Sequence, residues 1–276
     1  MKAEILAISG FRLTTAEPER LARFYKELGF SVGDRQPIPD EELKFLGLEQ
    51  GGTRLMLCLG NQNVGLDTFD QPGRPYPADS TSADLCFQHF ALVTDDAEAA
   101  WVRAGALGAV PISTGGPVRL PASAGGVTAI KFRDPEGHPL ELLQFPSSKE
   151  SRWQGKGLLG IDHSAISVAD AVASCRFYTA FGLSVQHPTL NKGSTQVALD
   201  GLAGVEVAVM PMIPQAETPH LELLAYRTPI GRPAGRLEPN DIAGTRIVWA
   251  ADRDALVRDP DGHLHQFSRP KTGSNV

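Results

Sequence analysis

Apolar residues along this chain keep two rhythms. Phe24 and Tyr25 lie at helical spacing from other apolar residues, after Thr15-Ala16-Glu17-Pro18 and before Gly29, which reads as an amphipathic helix with an N-terminal signal and a glycine stop. Thr53-Arg54-Leu55-Met56-Leu57-Cys58 and Gly204-Val205-Glu206-Val207-Ala208-Val209 alternate in twos, with turn residues around them, as strands of an antiparallel sheet do.

These rhythms repeat. Laid over each other without gaps, Ile8-Ser9-Gly10-Phe11 matches Ile161-Asp162-His163-Ser164, and Arg23-Phe24-Tyr25 matches Arg176-Phe177-Tyr178. The second helix starts at Asp170 and stops at Gly182. A third copy begins near Asp84, with a strand over 87–93, a helix over 95–104 ahead of Gly105, and a last strand over 140–145. Asp134-Pro135-Glu136-Gly137, a good type I turn, introduces that strand. A fourth copy begins near Asp241 with a strand over 245–250 and closes on the same turn in Asp259-Pro260-Asp261-Gly262-His263-Leu264-His265-Gln266. Too few residues separate that strand from that turn to hold a full helix and two strands, so this copy is truncated.

The pattern predicts an α+β fold of four βαβββ units, at about 4–60, 84–146, 159–228 and 240–270. The Gly-, Pro- and Asp-rich stretch 60–83 reads as a connector, as do 146–157 and 228–239. At 276 residues the chain is long enough for two domains, 1–150 with the first two units and 151–276 with the last two.

Two copies carry the same pair of polar residues in apolar surroundings. His89 opens His-Phe-Ala-Leu, and Glu141 sits in Leu140-Glu141-Leu142-Leu143; His163 opens His-Ser-Ala-Ile, and Glu222 sits in Leu221-Glu222-Leu223-Leu224. A carboxylate in such a run is costly unless paired or bound to a cation. Taken singly, either histidine fits a satisfied core position and either glutamate the solvent-facing place on an alternating strand. Their recurrence together points to ligands of a divalent metal. Glu206 and His220 are rivals of Glu222, Glu206 the stronger. Gln196, read as lying on a strand, is a candidate to line the cleft. His138, His263 and His265 belong to the turns before last strands and read as solvated or turn-stabilising.

Lys and Arg number 26 against 32 Asp and Glu, a net charge of −6 without like-charge runs, which argues against nucleic acid as a partner. The three cysteines, Cys58, Cys86 and Cys175, are odd in number and far apart, which suits a reducing cytoplasm rather than a disulfide framework. No apolar run approaches the ~18 residues of a membrane span, and residues 1–6 lack the core of a secretory signal. A cytoplasmic protein without membrane association is expected.

The constellation resembles the vicinal oxygen chelate superfamily, which includes glyoxalase I, extradiol dioxygenases, methylmalonyl-CoA epimerase and bleomycin-resistance proteins. Phe132-Arg133-Asp134-Pro135-Glu136-Gly137-His138-Pro139-Leu140-Glu141 is the most specific stretch. The resemblance implies units paired into U-shaped sheets around a metal, each giving a first-strand His and a last-strand Glu. On this chain that means His89 and Glu141 from unit two, and His163 and Glu222 from unit three. Unit one has Gly10 at the first-strand position and no acid in Leu55-Met56-Leu57; unit four has Thr245 or Arg246 and Gln266. Pairing units two with three and one with four assembles all four ligands, whereas pairing neighbours gives two half-built sites. The first is preferred on this ligand arithmetic, and connector length permits both.

The implied function is a metal-dependent, glyoxalase-like isomerase or lyase. It would act on a small molecule chelated through vicinal oxygens, with one divalent ion (Ni, Co, Zn, Mn or Fe) as Lewis acid and Glu141 as the expected base. Four protein ligands weigh toward this over an Fe(II) extradiol dioxygenase; a non-enzymatic binder of the bleomycin-resistance type is the third reading. Arg119, Arg227 and Arg232 have no assignable role toward glutathione. A monomer suffices for the site, and a homodimer is compatible with it.

Overall fold

A computed structural model describes residues 5–147, 151–216 and 218–270. Unit one runs β1 (Ile5–Thr14), α1 (Pro18–Leu28), β2 (Ser31–Pro37), α2 (Asp40–Leu46), β3 (Gly52–Leu59) and β4 (Gln62–Phe69). Unit two runs β5 (Gln88–Thr94), α3 (Ala97–Ala106), β6 (Val110–Pro111), β7 (Val118–Arg119), β8 (Thr128–Arg133) and β9 (Pro139–Gln144). Unit three runs β10 (Leu158–Ser167), α4 (Ala171–Thr179), β11 (Ser184–Val185), β12 (Thr189–Lys192), α5 (Ser194–Asp200), β13 (Glu206–Ile213) and β14 (His220–Thr228). Unit four has only β15 (Arg246–Ala251), β16 (Ala255–Arg258) and β17 (Leu264–Ser268).

Two sheets result, and each draws on both halves of the chain. The seven-stranded sheet, β16-β17-β15-β1-β4-β3-β2, joins units one and four; the ten-stranded sheet, with the path β11-β13-β14-β10-β5-β9-β8-β6, joins units two and three. The seams are the antiparallel pairs β1 with β15 and β5 with β10. Units therefore pair as the ligand arithmetic preferred.

Two elements differ from expectation. Residues 62–69, read as connector, form β4, the true last strand of unit one, parallel to β1. Its Asn63, Gly65 and Asp67 are poor strand formers and masked the alternation of buried Val64 and Leu66. Gln196 lies on α5 rather than on a strand.

One continuous core lies between the sheets and helices α1, α3 and α4. Phe11 of β1 stacks on Phe90 of β5 with ring centroids 5.0 Å apart, and Phe24, Tyr25, Tyr178, Trp249 and Phe267 fill in around them. Phe24, Tyr25 and Tyr178 are thus packing residues, as helical spacing implied. Because side chains alternate along a strand, the residues between these core positions face the concave side of each sheet.

The repeated turn does a second job. Asp134 Oδ1 accepts from the N–H groups of Glu136 and His138, and Asp259 Oδ1 from those of Asp261 and His263. His138 Nδ1 lies 2.8 Å from Asp134 Oδ2, and its Nε2 is 2.9 Å from the Thr14 carbonyl; His263 Nε2 stands in the same relation to Ser167. Both histidines are buried and turn-stabilising, and each pins a unit to the one before it across the sheet boundary. His265 is also buried, bonded to Tyr178 and Trp249. The connectors add a second clamp, Arg74 on Asp241 and Arg232 on Asp84. No helix among the described residues is long and apolar enough to cross a membrane.

Candidate metal centre

Four neighbouring strands at the middle of the ten-stranded sheet bring the expected residues together. In β5 and β9 the parallel register sets Ala91 against Glu141, so His89 lies two residues before Glu141's partner. In β10 and β14 it sets Ala165 against Glu222, and His163 again lies two residues before. The antiparallel seam pairs Ala165 with His89 and His163 with Ala91, which turns the two half-sites toward each other. Phe90, Leu92, Leu140, Leu142, Leu221 and Leu223, between or flanking these positions, point into the core.

His89 Nε2 lies 3.0 Å from Glu141 Oε2, and His163 Nε2 lies 3.6 Å from the same oxygen. His163 Nε2 is 3.7 Å from Glu222 Oε2. His89, Glu141 and His163 form the tighter group, their ligand atoms all within 4.8 Å of one another, and Glu222 joins at its edge through His163. Donors side by side around an ion with bonds of ~2.1 Å stand about 3 Å apart, so these separations fit a shared cation. Buried His89 Nδ1 has no hydrogen-bond partner among the described residues, which leaves Nε2 as the nitrogen aimed at the acids.

Electrostatics agree with a cation-hungry centre. Burial alone would raise the Glu141 carboxyl, but close-lying His163, the hydrogen bond with His89, and Lys131 nearby outweigh it and hold it well below its ordinary range. Glu222 is held at about 2 in the same way, burial being outweighed by the His163 charge and by His220. Burial would lower His163, yet Glu222, Asp162 and Glu141 lift it well above its usual value. His89 is lowered, chiefly by burial. Without an ion, then, a proton on His163 balances the carboxylates, and a metal would take that proton's place.

The centre floors a cavity of about 310 Å³. Val127, Leu143, Phe145, Val207, Val209 and Leu224 make apolar walls, and α5 borders it with Gln196 and Leu199. Lys131 is the only lysine or arginine among the described lining residues, and its Nζ is bonded to buried Asp200 at 2.7 Å. Gln196 does line the cleft, donating to the other oxygen of Asp200.

A family model described as "Glyoxalase/Bleomycin resistance protein/Dioxygenase superfamily" matches residues 7–142. The chain belongs to this superfamily. Glyoxalase I from Zea mays is similar over 97% of this chain and 92% of its own, at 16% identity and a TM-score of 0.59. A putative dioxygenase from Bacillus subtilis subsp. subtilis str. 168 is similar over 98% of this chain and 87% of its own, at 11% identity and a TM-score of 0.60. At such identities the likeness is one of fold. No curated protein matches the sequence.

One neighbour of this centre escaped sequence reading. Asp162 Oδ2 stands 3.1 Å from His163 Nδ1, positioned to orient the ring; only its place beside a histidine could have signalled it. His220, set against His163 in register, lies 3.6 Å from Glu222, whereas Glu206, the stronger rival on sequence, sits at the far end of β13 beside Lys192.

The matching positions of the seven-stranded sheet carry other chemistry. Val248 pairs with Gln266, so Arg246, rather than Thr245, stands where His89 stands in the other sheet. Phe11 pairs with Ile247, and Arg12 with Gly65, so Gly10 and Gly65 answer to His163 and Glu222. A Cβ on Gly10 would meet the Asn63 carbonyl oxygen at 2.5 Å, so no histidine can be built there without backbone movement. Gly65 is overlain by Arg12 and Arg54, whose Cδ atoms would lie 2.8 and 3.0 Å from a Cβ.

Proposed function

We propose that this protein is a metal-dependent, glyoxalase-like isomerase or lyase, with a divalent ion held by His89, Glu141, His163 and Glu222. The observation that carries the reading is the convergence of one buried and one half-buried carboxylate on two buried imidazoles at the floor of a cavity. When bound, the ion supplies Lewis-acid polarisation to a carbonyl chelated with its vicinal oxygen. Ni, Co, Zn, Mn and Fe all suit such a nitrogen and oxygen set.

The chain's residues divide the remaining work. His89 and Glu141, both nearly inaccessible, fix the centre, and Asp162 orients His163. Glu222, with a side chain 22% exposed against 6% for Glu141, is the looser carboxylate. We therefore assign proton acceptance from the carbon next to the carbonyl to Glu222 rather than to Glu141, the family-based expectation. His220, beside Glu222, is placed to steady the carboxyl as it changes charge. The apolar walls exclude water from the carbanionic intermediate, and the cavity size favours a compact substrate. Lys131 is neutralised by Asp200, so no lysine or arginine among the described lining residues is free to meet a substrate with several carboxylates.

A second reading has its own support. His89, His163 and Glu141, the tighter group, form the two-histidine, one-carboxylate set typical of Fe(II) oxygenases. Reconstitution of the purified chain with each metal distinguishes the two. Solvent deuterium entering next to the carbonyl of a 2-hydroxy- or 2-oxo-carbonyl compound supports the first reading. Consumption of O₂ with catechols by the Fe(II) form supports the second. Failure of every metal to reach stoichiometric occupancy would overturn both. Glu222→Gln is expected to retain metal and lose deuterium exchange, and Glu141→Gln to lose metal.

A further inference from the structure

The seven-stranded sheet holds a charged cluster with no part in the centre above. Arg54 binds Asp67 through Nε and Nη2, at 2.6 and 2.8 Å, and also reaches Glu42. Arg246, fully buried, gives one nitrogen to Asp67 at 2.6 Å. Gln266 donates to Glu42. Arg12, directly opposite Arg246 in the β1–β15 register, lies over Gly65 and makes no ion pair among the described residues.

Three guanidinium groups therefore face two carboxylates, and donors are left over. Arg12 Nε, Arg246 Nε and Arg246 Nη1 are buried without an acceptor among the described residues. A buried guanidinium without a counter-charge is expensive, as is a buried N–H without an acceptor. The effect of the imbalance is visible at Arg12, lowered to about 10 by burial and by Arg54 despite Asp67 and Glu42 nearby. Arg12 is half-buried and Arg54 is 12% exposed, so the cluster's outer edge meets solvent on the concave face.

We propose that this cluster is a binding site for a small oxyanion, a carboxylate- or phosphate-bearing metabolite seated against Arg12 and Arg246 on the concave face of the seven-stranded sheet. Guanidinium forks suit both oxyanions, and one negative charge would bring the cluster to neutrality. The site is the charge-inverted image of the metal centre: Arg246 occupies the register position of His89, and an anion would stand where the other sheet gathers ligands for a cation. The inference does not rest on the proposed reaction, and metal content reports on that reading separately.

The test is calorimetric titration of the full, metal-loaded chain with inorganic phosphate and, separately, with acetate, each paired with a thermal melt. One-to-one saturable binding of either, with a raised Tm, is expected; which anion binds tells a phosphate from a carboxylate ligand. Arg12→Met should weaken binding at least about tenfold, since a hydrogen bond to a charged group is lost, with circular dichroism and metal content unchanged. Glu42→Gln removes a competing carboxylate and should tighten binding. The proposal falls if neither anion binds saturably to the wild type, as when water alone satisfies the donors, or if Arg12→Met and Glu42→Gln both bind with wild-type affinity.

Discussion

The two sheets share a register and differ in how they settle the charge on their concave faces. In the ten-stranded sheet, Glu141 and Glu222 converge on His89 and His163, and a proton on His163 offsets their charge. In the seven-stranded sheet, Arg246, Gly10, Gly65 and Gln266 stand at the same positions, and Arg12, Arg54 and Arg246 bring cations of their own. On the proposed reading one frame recruits a metal, and the other carries guanidinium groups. The difference lies in side chains alone, because the backbone pairing that converges four positions on one point is common to both.

Because Asp67 is the acid that Arg54 and Arg246 share in the seven-stranded sheet, removing it should be the most damaging change. Asp67→Ala leaves Arg54 and Arg246 facing each other without their carboxylate, and a loss of about 3–5 kcal/mol is expected in urea unfolding, with metal stoichiometry unaltered. A loss below about 1 kcal/mol would mean the pairs are not what holds this face together.

One histidine from each sheet shows the contrast, His163 pushed up by its acids and His265 down to about 4 by burial. His265 accepts the Trp249 indole N–H at Nδ1, and protonation there would break that bond. Its folded-state pKa is below the unfolded value of ~6.5, so its stabilising contribution is complete above that pH and is lost as pH falls toward 4, about 3 kcal/mol in all. His265→Phe should flatten the stability profile in that window; an unchanged slope would assign acid sensitivity elsewhere.

In the ten-stranded sheet, His163→Ala should lower metal affinity at least about a hundredfold, more than a supporting residue costs, while circular dichroism stays that of the wild type. Retention of stoichiometric metal would separate this histidine from the centre. The smallest effect belongs to Asp162→Asn, which keeps the shape and removes the charge behind His163 Nδ1; about a tenfold loss of metal affinity is expected by equilibrium dialysis.

Much of this contrast was legible before folding was considered. The apolar runs around His89, Glu141, His163 and Glu222 announced buried polar groups, and the repeated Asp-Pro-x-Gly turns marked where last strands begin. The counterpart in unit one was hidden, because Asp67 lies in a strand whose Asn, Gly and Asp residues look like loop. Arg12, Arg54 and Glu42 were equally silent, being ordinary surface types scattered across three elements and brought together only by α2 folding onto the sheet.

By itself, then, the sequence determined the four units, their strand and helix rhythm, and the four candidate ligands, since periodicity and the cost of burying charge act over short stretches of chain. Which units share a sheet, and therefore which side chains meet, was decided by tertiary structure. Pairing β5 with β10 and β1 with β15 is a contact between distant segments, set by one core common to both sheets, by the histidine clamps that bind consecutive units, and by the arginines that tie each connector to a unit of the other half.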